Sequence, residues 1–231
     1  MITKKCAVTI GGFALTMLVC FITMHLLSLA SVSKWVGVGT GAGMFALSLV
    51  FAVVFRKERL MPYFIIPVNA VGDGLAVSSL FVYLGAFPKI WETAVVFAGL
   101  CLLLFIYCLL TNIPFLRNHF VISMLIFVCL ILGGLIAGAV ICESKFFYLA
   151  LICLIPFIAF LIATVLKAKD AQEQIKNMSY VSFAALIIII IAVIAVISQG
   201  DGLDGMGDGL IGDVGKTAKP ERNPYDFYTT L

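Results

Sequence analysis

A carboxylate alone in a long apolar stretch is the residue of this chain best placed to do chemistry. Asp73 is the only Lys, Arg, Asp or Glu between Leu60 and Pro88. At membrane depth such a charge costs about 2.5–3.5 kcal/mol on insertion scales, so it is kept from lipid and by default marks a path for ions, protons or substrate. Asn69 stands four residues earlier and shares a helical face with it. Gly72 and Gly74 flank the acid, and Pro62 and Pro67 precede it. This pattern predicts a broken helix whose freed carbonyls and single acid hold a cation at the bilayer midplane. Asn69, Gly72, Asp73 and Gly74 are therefore the expected substrate- or ion-binding set. The competing expectations are a protonated Asp73 that only bonds a neighbouring helix, or an Asp73 at the membrane interface.

Other chemistry-bearing residues are weaker candidates. His25 and His119 fall on different helices at different depths, so they form no ligand set without a third group. An interfacial hydrogen bond is the expected role of each. Seven cysteines, Cys6, Cys20, Cys101, Cys108, Cys129, Cys142 and Cys153, sit in or beside apolar runs with no CxxC, which reads as core packing. Asp201, Asp204, Asp208 and Asp213 are spaced three, four and five apart among glycines and could converge on a metal such as Ca²⁺. They match neither the EF-hand nor the nonapeptide repeat, and a flexible acidic linker is the preferred expectation. The run Gly212 to Thr217 resembles only the end of a phosphate-binding loop. No HExxH, GxSxG or pair of membrane aspartates is present, so the chain is not expected to be an enzyme, and no cofactor is expected.

The elements that must position these residues follow from composition. Of 231 residues 63% are apolar and only 12% charged, about half the charge of a soluble domain. Mean hydropathy is +1.17. There is too little polar surface to cover a water-soluble globule, so the excess must face lipid. The net charge of +3 arises in loops and gives no support for nucleic-acid binding. A bilayer needs about 20 apolar residues per crossing. The charges therefore mark out an all-α bundle of seven transmembrane helices: Cys6 to Leu29, Trp35 to Phe55, Met61 to Phe87, Thr93 to Ile113, Phe120 to Cys142, Phe146 to Leu166 and Tyr180 to Ser198. The first run is too long for a cleaved signal core and is expected to stay as a helix. Gly37 with Gly41, Gly39 with Gly43, and Gly134 with Gly138 have the spacing of close helix contact.

Lys and Arg in short loops are retained on the cytoplasmic side. Lys4, Lys5, Arg56, Lys57, Arg59, Arg117, Lys167, Lys169 and Lys176 fall on the side of the N-terminus, against Lys34, Lys89 and Lys145 on the other. The N-terminus is expected to be cytoplasmic and the C-terminus external. Residues 1–198 form the expected transmembrane domain and 199–231 a Gly/Asp-rich external tail, mobile or ordered by a partner. Thr229 to Leu231 has the look of a C-terminal carboxylate ligand. The first functional expectation is permeation of a small solute or cation in a cell membrane. The second is a non-transporting subunit that docks other membrane-protein subunits through this tail. The lipid bilayer is the expected surrounding in either case.

Overall fold

A computed structural model describes residues 4–28, 33–55, 60–85, 87–110, 113, 119, 122, 124–129, 131–133 and 144–210, the side chains of 144–147 and 199–210 excepted. Among the described residues all regular structure is helical. The long helices are α1 (Lys4–Ser28), α2 (Lys34–Val54), α3 (Met61–Tyr83), α4 (Ile90–Leu110), α5 (Ser144–Val165) and α6 (Ala171–Leu210). Each contains a stretch long and apolar enough to cross a bilayer, α6 over Ala171–Ser198. The chain is thus a multi-pass helical membrane protein. A shorter apolar helix, Met124–Gly133, lies within the expected fifth span, whose remainder falls outside the described residues, as do Gly134 and Gly138.

Contacts fix the directions. Phe13 of α1 packs edge-on against Phe157 and Phe160 of α5, and Phe21 against Phe97 of α4. Lys34 at the start of α2 lies 5.3 Å above the Tyr83 ring at the end of α3. Gln174 at the start of α6 bonds Thr9 at the start of α1. Hence α1, α3 and α6 run one way and α2, α4 and α5 the other. We call the two ends of the bundle the α1-start end and the α1-finish end. The exposed Trp35 and Trp91 both sit at the α1-finish end, where amphipathic rings suit the headgroup layer.

The core is built around α3, 72% of whose apolar stretch is buried, whereas α2 buries 22%. An entirely apolar helix is normally a lipid-facing one, so the helix carrying the acid is the one the others wrap. Phe13, Met17, Met24, Leu80, Phe81, Leu104, Phe157, Phe160 and Leu161 fill the interior. Two compact units divide the chain, Met1–Ile197 and Ser198–Leu231.

Three expectations need correction. The third helix is not broken: Met61–Tyr83 is continuous, with Pro62 in its first turn and Pro67 inside it. A proline in the first turn gives up only an amide that has no partner there anyway, and Pro67 removes one bond from a helix most of whose apolar stretch is buried against its neighbours. The helix stops instead at Gly85, whose φ of +67° suits glycine. The last helix begins at Ala171 rather than Tyr180. Asp170 caps it by accepting the Glu173 amide at 2.8 Å, and Glu173 Oε2 accepts the Lys169 amide at 2.6 Å, so charged residues open the helix instead of delaying it. At its other end α6 continues through Gly200 to Leu210, part of the stretch expected to be a flexible linker or a tail ordered by a partner.

Candidate functional site

Asn69 and Asp73 stand one turn apart on the inward face of α3, and both are buried, at 0% and 1% exposure. Asp73 is twelve residues into α3, about 18 Å along a helix that rises 1.5 Å per residue, which is close to the middle of the span. An interfacial position for Asp73 is therefore the least consistent with the fold. Four helices close around the pair. Asn69 Nδ2 donates to Ser182 Oγ of α6 at 2.9 Å, and Ser182 Oγ donates to the Ser179 carbonyl at 2.8 Å. Cys20 of α1 and Cys153 of α5, both buried, lie within electrostatic reach of Asp73. From α2, Gly41 packs against the Gly72 carbonyl.

The acid itself is unsatisfied. Among the described residues no donor reaches Asp73 Oδ1 or Oδ2, and Asn69 Oδ1 also lacks a partner. Three acceptor oxygens are thus gathered on one turn of a buried helix with no protein donor. Leaving buried polar groups unmet costs about 1–3 kcal/mol each, and more for a charged one. A fold that keeps several together is a place where a proton, a cation or water completes the set.

The two glycines do a different job from that expected of them. A Cβ on Gly74 would stand 2.5 Å from the Cys20 carbonyl oxygen and 2.8 Å from Thr23 Cβ. On Gly72 it would meet Leu186 Cδ2 at 3.0 Å and Met44 Cβ at 3.3 Å. They let α1, α2 and α6 approach the helix that carries Asp73, and the continuous α3 keeps their carbonyls in its own ladder. On α2 only one of the two glycine pairs makes such contact. Gly37 faces Ser78, Ser79 and the Leu75 carbonyl, and Gly41 faces Gly72 and Ala76. Gly39 and Gly43 meet no neighbouring heavy atom within 4 Å. They point away because alternate residues of a helix lie about 200° apart, so a run of glycines at every second position cannot place all of them on one face.

Gln174, Thr9 and Ser182 were not picked out by sequence reasoning. Gln174 is fully buried; its Nε2 donates to Thr9 Oγ1 at 3.0 Å and to the Ala163 carbonyl, while Oε1 has no protein partner. Lys5 Nζ donates to the Ala168 carbonyl beside them, tying α1 to the α5–α6 turn. The available signal was the Asp170-x-x-Glu173 helix start, followed by Gln174, Met178, Ser182, Ala185 and Ile189 at the spacing of one inward face.

The remaining candidates are not brought together. His25 Nε2 lies 3.3 Å from Thr93 Oγ1, an α1–α4 hydrogen bond at the α1-finish end, and His119 is exposed at a turn. No group of three or more His, Cys, Asp or Glu able to hold a metal occurs among the described residues. The side chains of Asp201, Asp204 and Asp208, and all of Asp213, fall outside what the structure describes. No protein-family model, curated protein or solved structure matches this chain.

Proposed function

We propose that this protein moves a small cation across the membrane, with Asp73 and Asn69 as the midplane site and Gly72 and Gly74 as the residues that let neighbouring helices close on it. The observation that carries the proposal is the burial of three acceptor oxygens, Asn69 Oδ1 and both of Asp73, with no protein donor. A carboxyl group kept only to bond a neighbouring helix would point at a donor there, and the Asn69 amide nitrogen is already committed to Ser182. An all-acceptor set suits a cationic or proton-bearing ligand and repels anions.

The finer topology is part of this proposal. Cys108, two residues before the end of α4, is hydrogen-bonded to Cys6 at the α1-start end, whereas α5, running the same way as α4, begins at the α1-finish end. We place a return crossing within 111–143 as part of this proposal, because α4 and α5 run the same way in succession; that gives seven crossings in all. The bias of Lys and Arg supports a cytoplasmic α1-start end and an external C-terminus, in what we take to be a cell membrane. A second reading, a subunit that docks a partner through its C-terminal segment, draws on the separation of Ser198–Leu231 as a unit of its own.

Ligand-linked stability tests the site. A species that binds only the folded protein raises stability by about 2.7 kcal/mol at a hundredfold excess over its dissociation constant. The thermal midpoint of purified wild type should respond to pH or to one of Na⁺, K⁺, Mg²⁺ and Ca²⁺, and Asp73→Asn should lose that response. Identical profiles for the two proteins would remove the site.

A further inference from the structure

Deepening that proposal and resting on it, we infer that the cation is the proton, and that it reaches Asp73 from the α1-start end along a seam of buried polar groups formed by Gln174 and Thr9, then Ser179, then Ser182 and Asn69. The unmet polar atoms mark this route. Gln174 Oε1, Asn177 Nδ2, Asn69 Oδ1 and the two Asp73 oxygens have no protein partner among the described residues. All lie on α3 or in the first two turns of α6. Depth along the helices orders them: Gln174 is about 5 Å into α6, Ser179 about 12 Å, Ser182 about 16 Å, and Asp73 about 18 Å into α3. Gln174, Ser179, Ser182 and Asn69 are each at most 1% exposed. Buried polar atoms of this kind are bridged by water making about three hydrogen bonds each, and a file of such waters passes protons.

The other half of the bundle is built differently. Beyond Ser182 the buried face of α6 is Ala185, Leu186, Ile189, Val193 and Ile197. Ser78 and Ser79 donate back to the Leu75 carbonyl of their own helix, and Thr93 to that of Ile90. Like the seam serines these bond their own helix, but no unmet Asn, Gln or Asp atom accompanies them among the described residues, so access is one-sided and the apolar half acts as the barrier.

The nature of the ligand follows from number and room. A hard metal ion asks for six or more oxygen ligands, whereas three unsatisfied oxygens face this site. Neighbouring helices close tightly on the same turn, with Leu186 and Met44 against Gly72 and Cys20 and Thr23 against Gly74. A proton needs one acceptor and no cavity. The groups that face Asp73 are Cys20 from α1 and Cys153 from α5, with Met44 from α2 and Ser182 and Leu186 from α6 around the same turn. None of these is a Lys, Arg, Asp or Glu, so uptake of a proton leaves the site neutral with no other charge to compensate.

Sealed proteoliposomes holding a pH-sensitive dye give the test, run alongside Na⁺ and K⁺ flux. Wild type, Asp73→Asn, Ser179→Ala and Ser182→Ala are compared, with folding checked by thermal midpoint. Ser179→Ala is the control against misfolding, since its hydroxyl bonds only the Lys176 carbonyl of its own helix. Reactivity of Ser179→Cys toward a membrane-impermeant thiol reagent is then measured from each side by mass spectrometry. We expect proton flux that requires Asp73, about tenfold slowing in the serine variants, and labelling at position 179 from the α1-start side alone. Asp73-dependent flux of Na⁺ or K⁺ without protons overturns the inference and leaves the function proposal standing. So does proton flux untouched by the serine variants, or labelling from the opposite side. Absence of any Asp73-dependent flux overturns both.

Discussion

At the scale of single residues, close approach separates glycines that look alike in the sequence. Gly74 lies against the Cys20 backbone, and backbone cannot move aside as a flexible side chain can. Gly74→Ala is expected to destabilise the folded protein by about 1–3 kcal/mol, the usual cost of overpacking. Gly39→Ala, with open space around it, should stay within about 0.5 kcal/mol of wild type. Thermal unfolding in detergent measures both, and equal midpoints would contradict the packing of α1 on α3. The Asn69–Asp73 pair was legible because an apolar run makes any polar residue conspicuous and four-residue spacing puts two of them on one face. Ser182 was not, since a serine in a helix can bond its own backbone, as most serines and threonines here do. Only the fold shows which of them meets a neighbour.

Helices were legible where charge bounded them and were misplaced where charge belonged to the helix. Lys34 and Lys89 stand within a residue of real starts, but Glu173 and Lys176 lie inside α6 and pushed its expected beginning to Tyr180. The prolines and glycines of α3 suggested a break because their intrinsic cost is real. Packing against neighbouring helices outweighs it, a context that no local pattern contains. The cap at Asp170 gives a direct test at this scale. Asp170→Ala removes the acceptor for the Glu173 amide and should lower stability by about 0.5–2 kcal/mol. If the seam begins at Gln174, the same change should also slow proton entry, because Gln174 sits in the turn that loses its anchor. Unfolding midpoints and flux measured on one preparation separate the two effects.

For the whole molecule, membrane insertion follows from composition and from six long apolar helices, whereas the proposed function rests on the single buried acid of α3. Topology can be checked apart from activity. A reporter fused after Leu231 should be active only outside, and one inserted after Lys57 only in the cytoplasm; two cytoplasmic reporters would remove one of the seven proposed crossings. Deleting Gly200–Leu231 should leave Met1–Ile197 folded, since each membrane helix satisfies its own backbone. Failure to recover the shortened protein from membranes would make the C-terminal segment part of the fold. The most direct measurement for the central claim is cation flux into liposomes containing this chain alone, at equal protein density, for wild type and Asp73→Asn. Asn keeps the shape of the side chain and much of its hydrogen bonding but cannot carry the charge. Wild type should conduct, and Asp73→Asn should fall to the leak of protein-free vesicles while keeping its fold. Equal flux from both would contradict the account.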